Sequence, residues 1–221
     1  EEASPFFPDA TFDSLEVADG GEGTVDALVA SLGGERVTLT VSDPLGRPVE
    51  TSYGLLPGGL AVIEMAAASG LPLLSLAERD PRLTSTYGTG EPIADAIARG
   101  VSDITLAIGG SATNDCGMGA MRALGARFLD ESGAELAGTG SDLARVDSID
   151  LSGMDGRVAQ TSFHVMCDVD NPLVGPRGAT YVFGPQKGAD PACADELEAV
   201  LRSYAAVLAK TFGADVSAEP S

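Results

Sequence analysis

Ile104-Thr105-Leu106-Ala107-Ile108-Gly109-Gly110-Ser111-Ala112-Thr113-Asn114-Asp115-Cys116-Gly117 is the stretch on which the reading of this chain turns. Its first five residues form a short apolar run of the kind that builds a buried strand. Past Gly117, the residues Met118, Ala120, Met121 and Leu124 share one helical face, and Gly125 offers a stop. A strand, a glycine-rich turn and a helix in that order place backbone N–H groups at a helix N-terminus, where anions bind without needing a lysine. The turn is neither a GxGxxG fingerprint nor a GxxxxGK[ST] loop, so neither dinucleotide binding nor a Walker-type NTPase follows. The bland alternative is a tight connection that uses glycine only for geometry.

Other elements extend outward from this unit. Residues 1–11 read as a loose start, and Asp13 to Val17 as a short strand entering Ala18-Asp19-Gly20-Gly21-Glu22-Gly23-Thr24. A helix follows with Val25, Leu28, Val29 and Leu32 on one face, ended by Gly33-Gly34. Val37, Leu39 and Val41 alternate with polar residues, Asp43 to Pro48 is turn chemistry, and Val49 to Leu56 returns, which together predict a hairpin. Leu60 to Met65 predicts a third strand. Pro92 to Arg99 predicts a short helix with Pro92 in its first turn. After a weak strand at Ala126 to Leu129, residues 134–160 read as loop with short elements. Phe163 to Val169 predicts a strong buried strand, Ala179 to Phe183 a short strand, and Ala192 to Thr211 a long amphipathic helix. Residues 214–221 read as a frayed tail. Hairpin and strand–helix signals together predict an α/β fold with a mixed sheet and flanking helices, in one domain over 12–213.

Composition narrows the partners. The 221 residues carry 33 acids against 13 bases, a formal charge of −20, with the acids spread along the chain. Such a field repels nucleic acid and anionic lipid, so neither is expected as a partner. An anionic substrate would need local help from helix termini, a few cations or a divalent metal. Lysine occurs only at 187 and 210, which singles out Lys187. Three cysteines without CxxC spacing predict no disulfide framework and no zinc site. With no membrane-length apolar run and no visible signal peptide, a reducing cytoplasm is the expected setting.

Four clusters could carry chemistry, each placed after a predicted strand. The first is Asp19 to Thr24, which also suits a capped helix entry. The second is the Gly109 to Asp115 loop. In the third, Asp168-Val169-Asp170-Asn171-Pro172, two carboxylates and an amide could hold Mg²⁺, the bland alternative being an Asx-type turn before proline. The fourth, Phe183 to Ala189, would fix Gln186 and Lys187 for a phosphate or carboxylate contact, or merely form a surface turn. His164, the sole histidine, lies in an apolar run and reads as structural, without a serine or cysteine partner for hydrolysis. Met65, Met118, Met121 and Met166 read as core filler.

At these clusters the chain resembles the bacterial class I glycerate kinases. The strings are ADGGEGT (18–24), DPLGRP (43–48), IEMAAASGL (63–71), STYGTGE (85–91), IGGSATND (108–115), ALGARFLD (123–130), IDLSGMD (149–155), CDVDNPLVG (167–175) and FGPQKGA (183–189). They are ordered as in the family and spread over most of residues 12–213. The resemblance implies ATP-dependent phosphorylation of D-glycerate with Mg²⁺. Family members also carry a PDSFKGS-like start and a later PGAGAAGG-like segment, neither of which stands in this sequence. The resemblance therefore implies the continuous middle domain of a two-domain kinase, packing against a domain built from both chain ends. On this basis Asp19, Asp115 and Lys187 are the expected catalytic residues. Gly20, Gly21, Gly109, Gly110, Ser111, Asn114 and Gln186 are expected to bind substrate or phosphate, and Asp168 and Asp170 to bind metal. A non-catalytic anion-binding domain, or a kinase of another small sugar acid, stays open as an alternative.

Overall fold

In a computed structural model that describes residues 20–215 and 217, the apolar run becomes strand β4 of a five-stranded sheet. The strands are β1 (Glu35–Ser42), β2 (Pro48–Leu56), β3 (Leu60–Glu64), β4 (Asp103–Ala107) and, later in the chain, β7 (Ser162–Met166). Their spatial order is β1-β2-β3-β4-β7. β1, β2 and β3 pair antiparallel, whereas β3, β4 and β7 are parallel, so the sheet is mixed as expected. Two short strands, β5 (Arg127–Leu129) and β6 (Ser148–Asp150), form a separate antiparallel ribbon.

Helices cover both faces, in keeping with the period-2 alternation of the strands. Ala61 and Ile63 of β3, with Tyr53 and Ile104, pack on Ile93, Ala96 and Ile97 of α3 (Tyr87–Ala98). Val62 turns the other way, toward Val25 of α1 (Thr24–Leu32). Each such fully buried aliphatic side chain stabilises the fold by about 1.5–3 kcal/mol. A second core joins Met118 of α4 (Met118–Ala123) and Phe128 of β5 to Leu201 and Tyr204 of α6 (Pro191–Phe212). α6 begins as capping rules require: the Asp190 carboxylate accepts from the Cys193 N–H (2.8 Å), and Pro191 stands at the first turn.

Several expectations need correction. α3 starts at Tyr87, five residues before Pro92, so the proline lies inside the helix and removes one i→i−4 bond. Tertiary contact outweighs propensity here: Gly90 lies so close to Ala120 of α4 that a Cβ would collide with its backbone. β7 is shorter than predicted and not buried. It is an edge strand of the sheet among the described residues, with Phe163 39% and Val165 59% exposed. His164 is exposed as well, 3.4 Å from Asp103. Ala179–Phe183 is a helix, α5, not a strand; a five-residue apolar run fits either period, and here Thr180 is its buried position. Leu32, placed on the inner face of α1, is 58% exposed. The predicted strand at 13–17 and most of the tail lie outside the described residues.

Candidate functional site

Because β3, β4 and β7 are parallel, their C-terminal ends meet one rim, the position where open α/β sheets bind ligands. A cavity of about 370 Å³ opens there. Its wall is made by Met65 after β3, by residues 108–111 and 113–117 after β4, by residues 166–169 at the end of β7, and by Gln186 and Lys187. Gly20 closes one side. Three of the four clusters, and Gly20 from the other, therefore face one space.

The Gly109 loop is fastened at both ends. The Gly109 N–H donates to the Gly20 carbonyl at 2.9 Å, and a Cβ at 109 would sit 2.8 Å from that oxygen. Glycine is required there by this close approach. Further on, the Gly110 carbonyl accepts from Leu71 N–H (3.0 Å) and Ala112 N–H donates to the Ser69 carbonyl (2.8 Å). Cys116, with φ 50°, is the one non-glycine residue in left-handed backbone among the described residues. Strain of this kind concentrates at functional sites. Its thiol is pushed up to about 12 by burial and the nearby Asp115 charge, so it is no nucleophile at neutral pH.

The helix N-terminus does not act as the sequence suggested. α4 spans only six residues, and its first amides are already taken. Met118 N–H donates to the Asp115 carbonyl (2.9 Å), Gly119 N–H to Asp115 Oδ2 (3.0 Å) and Ala120 N–H to Thr86 Oγ1 (2.9 Å). Any anion held here must be met by the loop and by Lys187.

Asp115 is 1% exposed, and its Oδ2 also accepts from Thr86 N–H (2.8 Å) and Thr86 Oγ1 (2.7 Å). Burial pushes its carboxyl above the usual carboxylate range, while the Thr86 and Gly119 donors pull it back. Lys187 is the cation of the lining. Its Nζ donates to the Thr113 carbonyl at 2.6 Å, and burial lowers its pKa to about 8, opposed by Asp115. Asn114 Nδ2 contacts Thr180 Oγ1 at 3.3 Å, which ties the loop to α5.

The remaining candidates are placed as follows. Gly20, Gly109, Gly110, Ser111, Asn114 and Gln186 line the cavity; Gly21 is adjacent to Gly20 but off the lining. Asp19 lies outside the described residues. The two metal candidates are not brought together on the wall. Asp168 lines it, whereas Asp170 is off the lining, its side chain 90% exposed and 3.7 Å from Arg177. Among the described residues no group of three or more His, Cys, Asp or Glu is placed to hold a metal ion. Sequence reasoning missed Thr86 and Thr113, though both sit in the quoted strings at 85–91 and 108–115. It also took Met65 and Met166 for core filler, and both line the cavity.

Residues 1–221 match the glycerate kinase family. The chain belongs to the glycerate kinase family. It is 49% identical over 208 residues to a glycerate kinase of Bacillus subtilis, covering 94% of this chain and 54% of that protein. To the glycerate 2-kinase of Escherichia coli it is 47% identical over 215 residues, covering 97% and 56%. A crystal structure of putative glycerate kinase 2 from Salmonella typhimurium superimposes with a TM-score of 0.90 at 46% identity, covering 98% of this chain and 58% of that one. The chain thus spans about half the length of the curated relatives it matches. Among the described residues no helix is long and apolar enough to cross a membrane.

Proposed function

We propose that this chain forms the anion-binding part of a glycerate kinase, in which ATP phosphorylates D-glycerate. The observation that carries the reading is the cavity at the ends of β3, β4 and β7, in which a single buried cation, Lys187, serves a chain of net charge −20. Phosphoryl transfer asks the protein mainly for positioning and charge stabilisation. The Gly109–Asn114 loop and Lys187 would hold a carboxylate or phosphate, and Gln186 would add a polar contact at the rim. Buried Asp115, with raised proton affinity, suits the acceptor hydroxyl, which it would orient and whose proton it would accept. Asp19 is a second candidate for that work by its place before Gly20.

Mg²⁺ would reach this cavity with the nucleotide. With Asp115 engaged by Thr86 and Gly119, Asp168 is the wall carboxylate that fits an ion that keeps waters and takes phosphate oxygens, rather than one caged by protein. The ion would supply neutralisation of phosphate charge. We place the residues that relatives have beyond this chain as a second domain packed against 12–213 and completing the cleft. An ATP-dependent reaction belongs in the cytoplasm.

The test is glycerate-dependent ADP release by this chain, alone and joined to the remaining length of a relative. Activity in either form supports the reading. Anion binding without turnover in both would favour the non-catalytic alternative, and turnover of another sugar acid in preference to glycerate would move the substrate.

A further inference from the structure

Eleven arginines stand in the chain beside 33 acids. Ten of them have a carboxylate within 4.0 Å. Arg79 has none among the described residues. Its Nε is buried without a hydrogen-bond partner. Its two terminal nitrogens instead reach backbone carbonyls: Nη1 donates to Gln186 at 3.4 Å and Nη2 to Leu71 at 3.5 Å. An unpaired guanidinium is unexpected where carboxylates outnumber bases so heavily, since burying a donor without an acceptor costs about 1–3 kcal/mol.

Of the two carbonyls, Gln186 belongs to the cavity lining and Leu71 to a segment that touches the lining at Gly110. Leu71 donates its own N–H to the Gly110 carbonyl (3.0 Å), so it is fastened to the loop after β4. Gln186 immediately precedes Lys187. Arg79 itself meets the Lys187 turn a second time at Gly188, where a Cβ would collide with the Arg79 carbonyl oxygen. From these contacts we infer that Arg79 is a positioning residue, whose planar fork spans the Gly110 loop and the Lys187 turn and fixes the distance between them. Lysine could not replace it, since an ammonium on a flexible stem cannot hold two divergent carbonyls in one plane. Arg79 is not on the cavity lining and acts through Gln186 and Lys187.

This inference rests on Lys187 serving an anion site, but its test does not depend on catalysis. With only two lysines, lysine-selective ¹³C labelling gives separate signals for Lys187 and Lys210. The titratable groups lining the same cavity are Asp115, Cys116, Cys167 and Asp168, and none is altered by the substitutions. In Arg79→Met the turn loosens, water reaches the amine, and the Lys187 titration midpoint should move up by about one pH unit. Arg79→Lys should give a smaller shift in the same direction, and the Lys210 signal should stay put. In the active form, Arg79→Met should raise KM for the anionic substrate about tenfold while kcat changes less. An unchanged Lys187 midpoint in either variant that still unfolds cooperatively would overturn the inference. Should Arg79→Met fail to fold, Arg79→Lys decides alone. A chain with no kinase activity whose Lys187 midpoint still responds to Arg79 would sink the proposed reaction and leave the positioning role standing.

Discussion

Strands β1 and β2 run antiparallel and meet through the Asp43–Arg47 turn, whereas β3, β4 and β7 run parallel and deliver three loops to one rim. The antiparallel half is held by local chemistry. Asp43 Oδ1 accepts from Leu45 and Arg47 N–H, both at 2.8 Å, and every residue of β1 faces a partner in β2. The parallel half is held by contacts between segments far apart in sequence, such as Thr86 with Asp115 and Lys187 with Thr113. Parallel strands need long crossovers, and those crossovers leave chain free to build a ligand cavity. The difference teaches that one half is scaffold and the other half site.

The sharpest break of that comparison is a substitution on each side. Lys187→Ala in the active form should cut kcat/KM roughly 10²–10³-fold, the scale for loss of a preorganised charge contact. Thr38→Ala on exposed β1 should leave kinetics unchanged; equal losses in both would erase the distinction between scaffold and site. Next in size, Asp115→Ala removes the acceptor of three hydrogen bonds, from Thr86 N–H (2.8 Å), Thr86 Oγ1 (2.7 Å) and Gly119 N–H (3.0 Å). Denaturant unfolding should show a loss of about 2–4 kcal/mol. A loss under about 0.5 kcal/mol, the scale of surface changes, would show that Asp115 does not organise the loop.

A pH titration gives a smaller, graded effect. The folded pKa of Lys187, about 8, lies below its ordinary 10.5. Between these values the unfolded chain binds more protons, so stability should rise with pH across that window. Anion affinity should move the opposite way, falling about tenfold per pH unit above roughly 8 as the amine loses its charge. Isothermal titration with inorganic phosphate at pH 7, 8 and 9 reads it, and flat affinity would remove Lys187 from the site. Smallest of all, Val165→Ala on the exposed outer strand should change stability by no more than about 0.5 kcal/mol. A larger loss would show that β7 is covered after all.

The same contrast explains what could be read in advance. The hairpin was legible because Val37, Leu39 and Val41 alternate around turn-forming Asp43 to Gly46, and α6 because Leu197, Leu201 and Tyr204 keep helical spacing over 22 residues. Gly109, Asn114, Asp115 and Lys187 were legible as residue types in tight turns after apolar runs. Their partners were not. Nothing local to Lys187 points to Thr113, 74 residues away, nor does anything local to Asp115 point to Thr86, 29 residues away. Phe163 and Val165 misled because an apolar run records hydrophobicity and not its neighbours, and Asp170 misled because spacing alone does not say which way a carboxylate faces. That each cluster follows a strand was legible, but the closed helix terminus at α4 depends on tertiary hydrogen bonds.

The central claim is that the ends of β3, β4 and β7 frame one anion-binding cavity, and an amide NMR titration of this chain with D-glycerate, and separately with ATP, tests it most directly. The account predicts saturable shifts at residues 109–116, 167–169 and 186–187, with β1 and β2 silent. Saturable shifts confined to other surfaces, or to the β1–β2 hairpin, would contradict it.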